Sequence, residues 1–357
     1  MHCLGRSLAG VTSVLADFAL SDYDEKHIGR ISEPYMIAID DSAVQKSAYA
    51  SATAVPWLMQ DSEHNGGAAA IASLPFYWYL VNNTPTYRAY EQYVMEAVGL
   101  NNAHLHTGDD YRCFGPIRAG DTITVTCELS RLYYKDGRQG RMKFIEDVWR
   151  FHNQRNVLVG DLVRKAVTIF ASDAKRQARP EIGPEVAKLS DGPVKHLTLP
   201  AWDRPEKTIA NLFDGIAKTY RHQTGKITWT SMIQWMGAVD DYSKTHYDWD
   251  YARDRGFPGG VPITAGPQMG AAMIAPVLAW AGPEAWIEEF RHVQRHPVNP
   301  GDVLETYGVS RPTADPDRVE VNAWLVDDRR QVRNSGVFVI RRADAAPSAA
   351  LSGGGDA

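Results

Sequence analysis

Cysteine is nearly absent. The 357 residues hold only Cys3, Cys113 and Cys127, with neither Cys-x-x-Cys spacing nor nearby histidines that would suggest zinc. An odd, scattered set of thiols supports neither a disulfide framework nor a zinc knuckle, and reads as the reduced complement of a cytoplasmic protein. Long apolar runs are missing too. No window reaches the roughly 18 uninterrupted apolar residues of a membrane-spanning helix. The mildly apolar stretch Val11 to Leu20 is broken by Asp17 and lacks a small-residue cleavage site, so it does not read as a signal peptide. Charge is not gathered into blocks of one sign. The 38 basic and 43 acidic residues give a net charge of −5, which argues against nucleic acid or an anionic membrane as the main partner. Gly66-Gly67 lies in neither a GxxxxGK nor a GxGxxG setting, so no phosphate loop is expected.

What the sequence does contain is a repeat. Pro116-Ile-Arg-Ala-Gly-Asp121 and Pro297-Val-Asn-Pro-Gly-Asp302 share the pattern P-(I/V)-x-x-G-D at a spacing of 181 residues. Alternating, β-branched runs follow each copy, Thr122 to Leu129 and Val303 to Ser310. A turn feeding an alternating strand is what a sheet with one buried face requires. Further strands are expected at Arg141 to Phe151, Leu158 to Phe170, Arg318 to Leu325 and Gln331 to Ile340.

Helical signals precede the turns. Ser231 to Val239 places Ile233, Trp235, Met236 and Val239 mainly on one side. Trp249 to Arg255 has Asp248 as a candidate N-cap and Gly256 as a stop. Gln268 to Trp280 is apolar or small almost throughout, and so should be buried around most of its circumference. A buried helix wrapped by an antiparallel sheet is a hotdog, and two such halves predict an α+β double hotdog, with two antiparallel sheets each wrapping a central helix. The expected boundaries are 1–171 for the first hotdog, 172–205 for a Pro-, Lys-, Asp- and Ala-rich linker, 206–342 for the second hotdog and 343–357 for a disordered tail.

The sharpest local signal is Asp241-Tyr-Ser-Lys-Thr-His246-Tyr-Asp248, in the break between two helices. This segment resembles the D-x-N-P-x-H-x-D pattern of R-specific enoyl-CoA hydratases and MaoC-like dehydratases, with Ser243 and Lys244 in place of the Asn and Pro. Ala252 falls on the family's next alanine. Downstream, Gly256-Phe257, Pro262-Ile263 and Gly266 are similar to the family's G-F-x-x-x-I-x-H-G segment, with Ala265 in the position of its His. Phe290 and the Pro297 to Asp302 turn extend the resemblance over roughly Thr228 to Val309.

The resemblance implies that Asp241 and His246 are catalytic, that Gly266 and Ser243 bind the substrate or its oxyanion, and that syn addition of water gives an R-3-hydroxyacyl thioester. Neither a metal nor an organic cofactor is implied. The substrate would be an acyl-CoA or an acyl carrier protein thioester, and homodimerisation is left open. The chemistry wants these residue types: a base for water, a proton for the α-carbon and donors for an enolate-like oxygen. Rivals on the same fold are an acyl-CoA thioesterase and a non-catalytic acyl-thioester-binding subunit.

In the first half Lys46 to Pro56 aligns with the same loop, but Thr53 stands at the Asp position and Leu58 at the His position. That half is therefore expected to keep the fold without the site. An aromatic cluster lies nearby: Trp57, Phe76 to Tyr79, Tyr87, Tyr90 and Tyr93. Trp57 and Trp78 are candidates for an acyl pocket suited to medium, branched or cyclic groups. His104, His106, Asp109 and Asp110 read as a polar loop, and His292 and His296 as a solvated basic surface.

Overall fold

The computed structural model describes residues 28–50, 76–88, 103–137, 140–170, 212–281 and 285–342. In chain order the first half supplies β1 (Tyr35–Ala38), α1 (Asp41–Ala50), α2 (Phe76–Asn82), β2 (Ala103–Cys113), β3 (Thr122–Gly137), β4 (Gly140–His152) and β5 (Leu158–Phe170). The second supplies β6 (Lys218–Lys226), α3 (Trp229–Val239), α4 (Trp249–Asp254), α5 (Gly266–Ala281), β7 (Ala285–Gln294), β8 (Val303–Pro312), β9 (Arg318–Asp327) and β10 (Val332–Arg342). Strands form where alternation is regular: Ile123, Val125, Cys127 and Leu129 of β3 are buried, as are Val319, Val321, Ala323 and Leu325 of β9. Burying one face while leaving the other partly wet is the usual state of an antiparallel sheet.

The two Pro-Gly-Asp turns adopt one geometry. In the first, Asp121 Oδ2 accepts from the Arg118 N–H at 2.9 Å, and Gly120 N–H donates to Ile39 O at 2.8 Å. In the second, Asp302 Oδ2 accepts from the Asn299 N–H at 3.0 Å, and Gly301 N–H donates to Ile227 O at 2.8 Å. Each aspartate thus closes its own turn, and each glycine ties that turn to the chain entering the helical region.

All ten strands belong to one sheet, in the order β1-β3-β4-β5-β2-β7-β10-β9-β8-β6. Read from its far edge, the second half of that order repeats the first. The two sheets expected from the sequence are therefore joined into one. The junction is β2 against β7, antiparallel, with Asp109 opposite His292 and Tyr111 opposite Phe290. Pairing these edges satisfies backbone groups that would otherwise stand open. The strands approach closely at a bulge after His106, where a Cβ on Gly108 would fall 2.3 Å from the His292 carbonyl oxygen. Only glycine permits that contact.

Helix α5 lies in the concave side of the second half, with Ala271, Met273, Ile274 and Val277 almost fully buried. Helices α1 and α2 pack on α3, and the Asn82 side chain donates to Val239 O at 2.8 Å. No helix among the described residues is long and apolar enough to cross a membrane. Thr53, Trp57, Leu58, Tyr90, Tyr93, Cys3, the 172–205 linker and the 343–357 tail lie outside the described residues. Of the cysteines, Cys113 and Cys127 are buried free thiols.

Two expectations fail at the junction. His104 to Asp110 is not a loop but the body of β2, and His292 is not solvated but buried in β7. Their polar character hid the strand pattern, because the inward-facing side chains of one half are satisfied by those of the other.

Candidate active site

The chain reaches Asp241 through a sharply capped helix. Thr228 and Ser231 form a reciprocal capping box at the start of α3, and Asp240 ends the helix in a left-handed conformation. That turn swings Asp241 inward, with its N–H bonded to Met236 O at 3.0 Å. A short 3-10 turn, Lys244–His246, follows, and then Asp248 caps α4 by accepting from the Tyr251 N–H at 2.9 Å. Both ends of the Asp241–Asp248 loop are thereby pinned to helix termini.

Within it, His246 Nε2 lies 3.5 Å from Asp241 Oδ2. His246 Nδ1 lies 2.7 Å from the Ile263 carbonyl, which can only accept, so Nδ1 carries a proton and Nε2 is the nitrogen turned towards the carboxylate. Ile263 returns a bond from its own N–H to Thr245 O at 3.1 Å, and Thr264 N–H bonds to Val298 O at 2.8 Å. The extended strap leading into α5 thus holds the imidazole. The second carboxylate oxygen, Oδ1, accepts from the Ser243 N–H at 3.3 Å.

Asp241, Ser243, His246 and Gly266 all line one cavity of about 220 Å³. Gly266 is the first residue of α5, so its N–H has no partner within the helix. The opposite wall comes from the first half: Trp78, Tyr87, Leu105, His106 and Ala166. Trp78 is thus among the residues lining the cavity. The cavity is composite, with Asp241 and His246 on one repeat and much of the lining on the other.

Behind that wall lies a buried network that the sequence did not reveal. Asp109 is fully buried and accepts from four groups: Tyr77 Oη at 2.9 Å, Trp78 Nε1 at 3.1 Å, His106 Nε2 at 2.8 Å and His292 Nε2 at 2.9 Å. Burial opposes ionisation, but the two histidines outweigh it and hold Asp109 below the usual carboxylate range. Burial likewise lowers the pKa of His292, against the pull of Asp109. The remaining nitrogens face amides: His106 Nδ1 lies 2.6 Å from Gln294 Nε2, and His292 Nδ1 lies 3.3 Å from Asn334 Nδ2. His106, Asp109 and His292 are the one cluster among the described residues with metal-ligand types within 4.8 Å of one another. Hydrogen bonds already account for every one of these donor and acceptor atoms, so the group reads as a lock between repeats. No local pattern could have found it, because His292 and Asp109 are 183 residues apart.

Deeper in the cavity wall His104 is neutral, its pKa lowered to about 3 by burial and by Arg164, with Nδ1 2.9 Å from Thr168 Oγ1. Arg164 itself is buried against Asp147 in a multiply bonded pair. Arg295, His296 and Arg333 line the second-repeat side.

Comparison with known proteins bears on the fold and on the first half. Residues 26–162 match the family described as FAS1-like, dehydratase domain region. No curated protein sequence matches the chain significantly. Among solved structures, a MaoC-like dehydratase superposes with a TM-score of 0.63 at 18% identity, covering 88% of this chain and 98% of its own. A double-hotdog protein from Mycobacterium tuberculosis gives a TM-score of 0.56 at 12% identity, covering 92% of this chain and 98% of its own. A putative MaoC domain dehydratase from Chloroflexus aurantiacus J-10-fl gives 0.55 at 16% identity, covering 89% and 96%. The first half thus matches a dehydratase-region family by sequence, and the chain as a whole shares the double-hotdog fold of these proteins.

Proposed function

We propose that the protein adds water to, or removes it from, the 2,3 double bond of an acyl thioester, with Asp241 and His246 as the acid-base pair. The observation that carries this reading is the contact of His246 Nδ1 with the Ile263 carbonyl, which leaves Nε2 of a neutral imidazole as an acceptor. With Nδ1–H committed to the Ile263 carbonyl, Nε2 and Asp241 Oδ2 are two acceptors 3.5 Å apart facing one cavity. Two acceptors so placed take the two hydrogens of a single water and leave its oxygen lone pair free for attack.

In the hydration direction the water oxygen bonds to C3 while one of its protons passes to the pair. The double-bond electrons move to C2 and the thioester oxygen, which the Gly266 N–H receives as charge develops there. The pair then returns the proton to C2, so one water is consumed and the catalyst is restored. Delivery of both parts from one side accounts for syn addition, and the R configuration at C3 is what the resemblance to R-specific hydratases implies. The thioester is carried on coenzyme A or on a carrier protein. The match of residues 26–162 to a dehydratase region supports hydro-lyase chemistry in general.

The first half contributes lining rather than chemistry. Trp78, Tyr87, Leu105 and Ala166 give the cavity lining an apolar part, beside His104, His106, Thr107 and Arg164, which supports a medium, branched or cyclic acyl group. The test is loss of the conjugated double bond when the protein meets a panel of enoyl-CoA thioesters. His246→Ala and Asp241→Asn should each lower turnover by at least about a hundredfold with the circular dichroism spectrum unchanged. Either variant retaining more than about a tenth of wild-type activity would remove its residue from the mechanism.

A further inference from the structure

Gln294 is the last residue of β7, and its side chain occupies an unusual position. A Cβ built on Gly266 would lie 1.3 Å from Gln294 Nε2 and 2.0 Å from its Cδ. The carboxamide therefore rests directly on the first residue of α5, in the space any side chain at 266 would claim. Both residues line the cavity that holds Asp241 and His246.

The orientation of that amide is determined by its neighbours. Asp109 is ionised and can only accept, so His106 places its proton on Nε2, 2.8 Å from Asp109 Oδ1. With that proton on Nε2, a neutral His106 accepts at Nδ1, and the structure places Gln294 Nε2 there, at 2.6 Å. One N–H of Gln294 is used on His106. The other remains, on a nitrogen held beside the start of α5.

We infer that Gln294 is a catalytic residue of the hydratase site, its second Nε2–H acting with the Gly266 N–H as a pair of donors to the thioester oxygen. The inference rests on the functional reading above and deepens it. A single backbone donor leaves an enolate oxygen with acceptor capacity unfilled, whereas two donors from different elements define a position for it. Asp109 and His106 serve as positioning residues, because they fix which end of the Gln294 amide faces the helix. The lock between the repeats thereby reaches the chemistry through one side chain.

Gln294→Glu keeps the shape of the side chain and removes both N–H donors, and Gln294→Met keeps its length without polar atoms. Steady-state hydration of an enoyl-CoA by wild type and both variants would be measured alongside thermal melts. Binding of an S-alkyl coenzyme A thioether, which lacks the oxygen in question, would be followed in parallel. The expected result is a fall in kcat of at least about a hundredfold for both variants. Melting temperature and thioether affinity should stay near wild type, as a packing role alone would not allow. An active wild type with either variant within about threefold in kcat would overturn the inference and leave the functional reading standing. Equal losses in melting temperature, thioether affinity and kcat would also overturn it, assigning Gln294 to packing. A wild type inactive on every enoyl thioester would overturn both.

Discussion

Removing the Asp109 carboxylate should cost more stability than removing any one hydrophobic side chain of this core. Its two oxygens accept from Tyr77, Trp78, His106 and His292 at 2.8 to 3.1 Å, in a place without solvent exposure. Asp109→Ala leaves four buried donors at once, and each unsatisfied donor costs about 1–3 kcal/mol. The sum is roughly 4–12 kcal/mol, against about 5–15 kcal/mol for the stability of a typical folded protein. Some of this is recovered, because either histidine can move its proton to Nδ1 and the Tyr77 hydroxyl can rotate. A net loss of about 4 kcal/mol or more is the expected outcome. Asp109→Asn keeps one acceptor oxygen but directs an NH2 at groups that also donate, so it should lie between wild type and Ala. Urea unfolding followed by tryptophan fluorescence measures both variants. If Asp109→Ala unfolds within about 1 kcal/mol of wild type, the four contacts contribute no more than ordinary surface polarity, and the repeats are held together by packing alone.

The cavity wall offers a test of substrate size: Ala166→Leu should place extra carbon atoms in the lining and exclude about three methylenes of a long acyl group. At ~0.8 kcal/mol per methylene, kcat/KM for longer enoyl-CoAs should fall about fiftyfold with little change for crotonyl-CoA, and a uniform fall would contradict the acyl-pocket reading. Acid should destabilise the fold. Burial holds His104 near a pKa of about 3 and lowers that of His292, so below about pH 6.5 the unfolded chain binds more protons than the native one. Stability should then drop as pH falls, by up to ~1.4 kcal/mol per pH unit for each histidine, and urea midpoints that do not change between neutral and mildly acid pH would disprove it. Thr53→Ala should leave kcat unchanged, because neither Thr53 nor Leu58 can perform the acid-base step; a collapse like that of His246→Ala would reveal a second working site in the first half.

How much of the molecule was legible from residues alone depends on whether the signal was local. Alternation in Thr122 to Leu129 and Arg318 to Leu325, the capping aspartate at 248 and the paired Pro-Gly-Asp turns all express their physics within a few residues, and each forms as expected. The loop from Asp241 to His246 was legible for the same reason, since two helix termini fix its geometry from both ends. His104, His106 and Asp109 were misread because β2 lacks apolar alternation. A strand shows period-two hydrophobicity only when its inner face meets an apolar core, and here it meets the polar side chains of β7.

Local pattern by itself thus determined the repeat, the strands that follow each Pro-Gly-Asp turn and the loop that carries Asp241 and His246. Tertiary structure alone decided that two half-sheets become one and that Asp109 joins His106 to His292. It also decided that Gln294 lies over Gly266 and that the first repeat walls a cavity served by the second. The physical reason is sequence distance: hydrogen bonds between residues some 180 positions apart leave no periodic trace in the chain, and exist only once the sheet has closed across β2 and β7.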